Sequence, residues 1–443
     1  MSPVQPPPIL NKQWNLNDLW TDLLNIGKDD AFREQEDSSY PYWEKWKYLA
    51  DSWKYDPLKI WTLVKSYRRN KNRVNFSGST FPLDISTPSI VQQLLHELDM
   101  NLGGSLQANE LIPSEEKQRY LVSSLMEEAI ASSQLEGAAT TRKLAKEMLE
   151  SNRKPRNHSE QMISNNYAAM QWIVRNKDTY LSEKRILEIH QIITHNTLPV
   201  KSEEGAFRTT DDIQVIDVQT GRLIHRPPEI RDLARLMNDF CEFANDGKRN
   251  NFFLHPISKA IILHFLIGYL HPFTDGNGRT ARAIFYWYLI RKGYWLIEYM
   301  SVSRIILGSK AQYARAYQHT ELDDNDLTYF ILYNLKCITR ALEELKNYID
   351  RKNKEKKNIL QLLRQTDYND RQIDLLQEIL NDKKNVFSVR EVETRFAVSN
   401  QTARNDLNQL VARGILETRK SGNKIQFLVT RDGLKKNKIQ KID

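Results

Sequence analysis

At 443 residues with 40% hydrophobic and 10% aromatic side chains, the chain is longer than one core usually organises, and it is too rich in apolar residues for a wholly disordered or collagen-like polymer. The longest uncharged stretch, Ala260 to Thr274, spans fifteen residues and contains His264 and His271, short of the roughly twenty that cross a bilayer, so no membrane span is expected. The net charge of +8 is unevenly placed. Residues 351–443 carry 21 Lys and Arg against 12 Asp and Glu, while residues 1–350 carry 43 against 44, so a nucleic-acid-facing or solvated basic surface belongs to the C-terminal end alone.

The start, MSPVQPPPILNKQW, lacks the basic head and apolar core of a secretory signal, and the only cysteines are Cys241 and Cys337, so a reduced, cytoplasmic setting is expected. Residues 1–70 form a Pro-rich arm and a Trp/Tyr-dense segment that wraps the rest. From about residue 71 to 350 the apolar spacing is almost entirely helical, which predicts one large α domain. Within it, Leu121, Val122, Leu125, Met126, Ala129 and Ile130 make a helical stripe, giving a helix over about 118–137 that closes at Glu136-Gly137. Residues 212–226, DIQVIDVQTGRLIHR, read instead as a β-hairpin before Pro227-Pro228, and an exposed hairpin can accept an extended peptide by strand addition.

Pro256 to Leu270 is apolar nearly all round, as in a helix at the centre of a domain. A second helix resumes at Thr280 and runs to Lys292, with Gly293 as its cap. Between them lies His271-Pro272-Phe273-Thr274-Asp275-Gly276-Asn277-Gly278-Arg279-Thr280-Ala281-Arg282. Glycines around an asparagine at a helix N-terminus let backbone N–H groups converge on an anion. Arg279 and Arg282, three apart, can share one face and hold further phosphates. Asp275 is a hard oxygen ligand suited to Mg²⁺, and His271 titrates near neutrality and can take a proton from a hydroxyl. Together these predict phosphoryl or nucleotidyl transfer. A Walker loop and a His-Glu-x-x-His zinc motif are both missing from the sequence.

The run HPFTDGNGRTAR resembles the signature of the Fic family, His-x-Phe-x-(Asp/Glu)-Gly-Asn-Gly-Arg-x-x-Arg, at every specified position. The resemblance covers roughly residues 70–348, including GAFR at 205–208 and the hairpin. It implies a mainly α, Fic-type helical domain with a β-hairpin flap that transfers AMP from ATP to a hydroxyl of a protein, that protein being another chain or itself. It further implies His271 as general base, Asp275 as Mg²⁺ ligand, and Gly276, Asn277, Gly278, Arg279, Thr280, Ala281 and Arg282 as the nucleotide site. Ser132-x-x-x-Glu136-Gly137 resembles the family's inhibitory motif, which implies that Glu136 pairs with Arg282 and holds the enzyme off. In the stretch at 309–331, similar to the family's last core helices, Tyr313 is either the aromatic beside adenine or a core tyrosine.

The charged run at 351–369 reads as a helix tail or linker. Beyond it, residues 370–443 predict a small winged helix-turn-helix: helices at Arg371–Leu380, Ser388–Phe396 and Asn400–Arg413, then strands at Ile415–Arg419 and Ile425–Val429. Asn400, Gln401, Thr402 and Arg404 open the third helix and are residue types that read base edges, with Lys420 and Lys424 edging the wing. DNA contact and protein docking are both open to such a unit, and a homo-oligomer is open to the chain as a whole. The competing class to an adenylyltransferase is a DNA-binding regulator whose Fic domain senses nucleotide.

Overall fold

The aromatic N-terminal segment folds as helices α1 (Leu16–Asn25), α2 (Asp29–Ser39), α3 (Trp43–Ser52) and α4 (Pro57–Tyr67). The start of α4 is written locally: Asp56 accepts the Leu58 N–H at 2.8 Å, and Pro57 takes the first helical position, where its missing N–H costs nothing. Phe32 packs against Trp46 and Trp20 with ring centroids 4.9 and 5.2 Å apart. In this computed structural model, the described residues are 3–10, 14–69, 71–76, 82–103, 117–216, 221, 223–247, 250–364, 368–380, 386–396, 398–421 and 424–430.

Buried charges join that segment to the body. Arg68 holds Glu36 by two hydrogen bonds of 2.7 Å and donates to Tyr329 Oη at 2.5 Å. Lys65 reaches Asp323 at 2.7 Å and Lys71 reaches Asp326 at 2.6 Å. Removing one partner of such a buried pair costs about 3–5 kcal/mol because the other charge is left unpaired. The N-terminal segment therefore belongs to one compact unit, residues 1–345, and residues 346–443 make the other.

The rest of the first unit is helical. After the short strands β1 (Asn72–Arg73) and β2 (Asp84–Ile85) come α5 (Ser89–Leu102), α6 (Lys117–Leu135), α7 (Arg142–Glu150), α8 (His158–Arg175) and α9 (Glu183–Thr194). The hairpin follows as β3 (Val215–Ile216) and β4 (Leu223–His225), antiparallel with Ile216 opposite Leu223. Its turn, 217–220, lies outside the described residues. Next are α10 (Ile230–Ala244), α11 (Pro256–Leu270), α12 (Asn277–Arg291), α13 (Val302–Leu307), α14 (Lys310–Leu322) and α15 (Thr328–Arg364), whose residues from 346 on belong to the second unit. The bounds of α11 are those the sequence predicts, and its residues from Ile257 to Ile267 are all buried. Helix α12 begins three residues earlier than predicted, at Asn277, because Gly276 adopts the left-handed conformation that starts it. Helix α15 carries on through the charged run at 351–358, whose Lys, Arg and Glu are good helix formers, so this stretch is a helix tail.

The second unit has helices α16 (Asp370–Leu380), α17 (Val389–Phe396) and α18 (Asn400–Ala412) with a three-stranded sheet in the order β5 (Val386–Phe387), β7 (Lys424–Val429), β6 (Leu416–Ser421). Leu376, Phe387, Val392, Ala403, Leu407, Leu410, Ile415 and Phe427 form its core. The sequence reading lacked β5, since two residues show no periodicity and only pairing with β7 makes them a strand. Among the described residues, no helix is long and apolar enough to cross a membrane.

Candidate functional site

The central helix α11 ends at His271, which takes the left-handed conformation (φ 45°, ψ 58°). That is strained backbone for a non-glycine residue, and neighbours must hold it. Arg208, almost fully buried, supplies the hold. Its Nε donates to the His271 carbonyl at 3.1 Å, its backbone N–H donates to Pro272 O at 2.8 Å, and its Nη2 donates to Pro228 O at the exit of the hairpin. One side chain thus ties the helix end to the base of the hairpin.

The His271 ring is oriented by its own helix. Nδ1 lies 3.2 Å from the Gly268 carbonyl. A carbonyl only accepts, so Nδ1 carries the proton and Nε2 keeps its lone pair. Burial pushes the ring's pKa below the usual histidine value, outweighing the Gly268 hydrogen bond. The imidazole is therefore neutral at pH 7 and competent as a base.

Phe273 anchors the loop by stacking on His190, with centroids 3.7 Å apart and planes within 4°. His190 also bridges two segments: Nε2 donates to Asp275 O at 2.8 Å and Nδ1 accepts the Gly205 N–H at 3.0 Å. The Asn277 side chain turns inward and clamps the Phe273 backbone at 3.0 and 2.8 Å. Gly276 is obligatory on two counts: its φ is +83°, and a Cβ there would meet Thr194 Cγ2 at 2.9 Å and His190 Nε2 at 3.2 Å. The helix itself leaves the N–H groups of Asn277, Gly278 and Arg279 unused, at the positive end of its dipole.

Arg279 is 1% exposed, and its Nε and Nη2 have no hydrogen-bond partner. Nη1 donates to Ile193 O at 3.2 Å, and Nη2 lies 3.6 Å from Asp275 Oδ2. Burial pulls the Arg279 pKa down despite Asp275 and Glu136 nearby. Orphaned guanidinium donors beside open helix N–H groups suit an anion. Asp275 spends Oδ1 on the Gly276 N–H at 2.6 Å and is otherwise exposed. Among the described residues no three His, Cys, Asp or Glu side chains converge to cage a metal. A single carboxylate beside a phosphate site fits Mg²⁺, which takes one or two protein ligands and completes its shell with phosphate oxygens and water. Thr280 and Ala281 are enclosed in the body.

Arg282 points the other way, to α6. Its Nε donates to Ser132 Oγ at 2.8 Å, and its Nη2 donates to Ser132 O at 3.0 Å and to Glu136 Oε1 at 2.8 Å. Burial disfavours the charged guanidinium, yet Glu136 outweighs that and raises its pKa. Gly137, at φ +95°, ends α6 and leaves Glu136 reaching across to α12. A Cβ on Gly278 would overlap Glu136 Oε1. The carboxylate therefore occupies the space at the helix N-terminus that Gly278 leaves open. Tyr313 packs among Tyr317, Phe330 and Tyr333, with its hydroxyl 2.8 Å from His264 Nε2, close to Arg282.

Residues 180–289, which hold the histidine, the glycine nest and both arginines, match the Fic/DOC family model. Those residues resemble a Fic domain. The chain is 31% identical over 180 residues to protein adenylyltransferase Fic of Aedes aegypti, covering 40% of this chain and 32% of that one. It is 32% identical over 161 residues to the Drosophila grimshawi protein of the same name, covering 36% and 29%. The chain thus spans about a third of the length of these curated relatives. A crystal structure of a Fic family protein from Desulfovibrio desulfuricans aligns with TM-score 0.48 and 19% identity over 77% of this chain and 94% of that one. Residues 371–424 match a DeoR-like helix-turn-helix domain.

Three residues with structural roles at the site are not singled out by the sequence reading: Arg208, His190 and Ser132. Arg208 lies in the GAFR segment and Ser132 in the Ser-x-x-x-Glu-Gly segment, so both were within quoted motifs. His190 gave no signal, being a histidine on an apolar helix face.

Three histidines of the first unit, His190 and His264 buried and His319 half-buried, make its stability pH-dependent. Burial depresses His190 to about 4, His264 to about 3 and His319 to about 4. The folded form keeps them neutral, while the unfolded chain protonates them below its ordinary value near 6.5. The unfolded state then binds more protons, so their stabilising contribution is complete above pH ~6.5 and shrinks as pH falls towards 4, by up to about 1.4 kcal/mol per pH unit for each histidine. Urea midpoints should drop clearly between pH 7 and 5, and equal midpoints would contradict the neutral assignment.

Proposed function

We propose that this chain is a protein adenylyltransferase that its own Glu136 holds inactive, and the pairing of Glu136 with Arg282 over the open glycine nest carries the reading. A carboxylate at a helix N-terminus, on a buried arginine, stands where an anionic ligand would bind. The relatives' name, protein adenylyltransferase, supplies the reaction class, with ATP as co-substrate.

In this reading His271 Nε2 takes the proton from a hydroxyl of the target protein. The hydroxyl oxygen bonds to the α-phosphorus of ATP, the bond from that phosphorus to the bridging oxygen breaks, and pyrophosphate leaves with the electron pair. The N–H groups at the start of α12 and the free donors of Arg279 hold phosphate oxygens, and Arg282 holds the outer phosphates once Glu136 withdraws. Tyr313, packed beside Arg282, borders the nucleotide. Asp275 would hold Mg²⁺, which would supply neutralisation of phosphate charge. On the hairpin, Ile216 and Leu223 pair across the strands and are 51% and 42% exposed, an apolar surface for the target segment. Incubation of a Glu136→Gly variant with ATP labelled on the α- or γ-phosphate tests the reaction. Label should remain on protein only from the α position, whereas retained γ label would mean phosphoryl transfer instead.

The helix-turn-helix domain favours DNA as a second partner. Arg404 and Asn408 on α18 line a groove with Thr418, Arg419 and Lys420 of the wing, over Val389, Ile425 and Phe427. Of the four expected base readers, Arg404 alone faces this groove. Asn400 and Gln401 are exposed but bonded to Glu393 and Asn405, and Thr402 shares the cap with Ser399. The side chain of Lys424 lies outside the described residues. Duplex binding by the whole chain should weaken steeply with salt, with a log–log slope of about −0.9 per phosphate neutralised, and Arg404→Ala should reduce that slope by about one. No binding at low salt, read by fluorescence anisotropy, would leave protein docking as this domain's role.

A further inference from the structure

Helix α6 and the turn that ends it carry polar residues at every fourth position from Ser124, namely Ser124, Glu128, Ser132 and Glu136, beside the buried apolar Leu125, Met126, Ala129 and Ile130. Helix α12 answers with Arg282 and Tyr286, also four apart. Glu136 and Ser132 hold Arg282, and one turn further along each helix Glu128 holds Tyr286, so the two ladders run in opposite directions. Glu128 is 1% exposed. Four neutral donors converge on its carboxyl group: Tyr286 Oη at 2.8 Å, Ser301 Oγ at 3.0 Å, the Ser303 N–H at 3.0 Å, and Ser303 Oγ. Ser301 and Ser303 sit at the start of α13, so this one side chain joins α6 to two other helices.

An apolar helix face resists sliding weakly, since neighbouring registers bury similar area. A buried acceptor surrounded by donors has one satisfied position, and any shift leaves several polar groups unpaired. The hydrogen bonds of Glu128 lie two turns of α6 away from Glu136, and among the described residues its only other link to the site is the charge it adds to those that favour the Arg282 cation.

We propose that Glu128 is the register pin of the inhibitory helix, a positioning residue that sets α6 where Glu136 meets Arg282. This rests on the inhibitory reading of Glu136. Without the pin, α6 settles over a range of positions, the Glu136–Arg282 pair forms less often, and Arg282 becomes available to ATP.

The test is the rate of self-modification with α-labelled ATP and Mg²⁺ for the full chain. Glu128→Gln puts an NH₂ donor among donors and should raise the rate about 5- to 20-fold over the parent. In a Glu136→Gly background the same change should leave the rate within about twofold, because there is no inhibitory pair left to loosen. A residue that only packs the core would lower the rate in both backgrounds. Tyr286→Phe, which keeps the ring and removes one donor, should give a smaller rise of about 2- to 5-fold, and it decides the matter should Glu128→Gln fail to fold. Parental or lower rates for the folded variants, or an equal rise in both backgrounds, overturn the pin. If Glu136→Gly itself stays at the parental rate, it is the inhibitory reading that falls.

Discussion

Glu136→Gly should raise the rate of self-modification by α-labelled ATP about 30- to 150-fold over the parent chain. In-line transfer of AMP needs the α-phosphate turned to the attacking hydroxyl, which needs the outer phosphates held. The residue placed to hold them, Arg282, is spent on Glu136 at 2.8 Å and on Ser132. Arg282 is 4% exposed but Glu136 is 32% exposed, so the pair is partly screened by water and is worth about 2–3 kcal/mol rather than the full value of a buried pair. Each ~1.4 kcal/mol hides a factor of ten, which gives the range stated. Glycine at 136 removes the carboxylate, and the helix already ends there in a glycine turn. Arg282→Ala should not reproduce the gain, since it removes the clamp together with the inhibition. Equal rates for parent and Glu136→Gly would end the inhibitory role and leave His271 to be judged separately.

In the Glu136→Gly background, His271→Ala should lower transfer by roughly 10²–10⁴-fold while ATP affinity stays within a few-fold, because the base acts on the nucleophile and the nest and arginines hold the nucleotide. The structure sets the pH profile of that background as well. Burial lowers the His271 pKa, and the base works when neutral. Activity should therefore hold as pH drops through 6.5 and fall only below it, where the ring protonates. His271→Ala should also remove this acid limb. Transfer by His271→Ala at the rate of its background, measured by labelled AMP per protein per minute, would show the base to be elsewhere.

The loop from His271 to Arg282 was legible in one dimension because its parts are local in sequence. A helix end, a loop and a helix start bring His271, the nest, Arg279 and Arg282 within twelve residues, but 3.6-residue periodicity does not show that Arg279 turns to Asp275 while Arg282 turns to α6. The same holds for the small basic domain, whose caps, turns and apolar spacing mark its helices within a residue or two. Its short strand β5 was not legible, since it exists only by pairing with β7.

Composition, periodicity and the HPFTDGNGRTAR run by themselves determined a mainly helical body, a glycine-rich loop between two helices with a histidine at its start, and a separate C-terminal basic unit. The resemblance already implied that Glu136 meets Arg282; only the tertiary structure decided what braces that loop and the distances of its contacts. Arg208 reaches 63 residues along the chain to brace the His271 carbonyl, and His190 reaches 85 to brace Asp275. Glu136 lies 146 residues before Arg282, and Arg68 meets Tyr329 across 261. A buried charge or imidazole on an apolar helix face looks alike in sequence whether it is pinned by a distant partner or lies in solvent. The difference arises from desolvation and directional hydrogen bonding, which exist only once the chain has closed around the group.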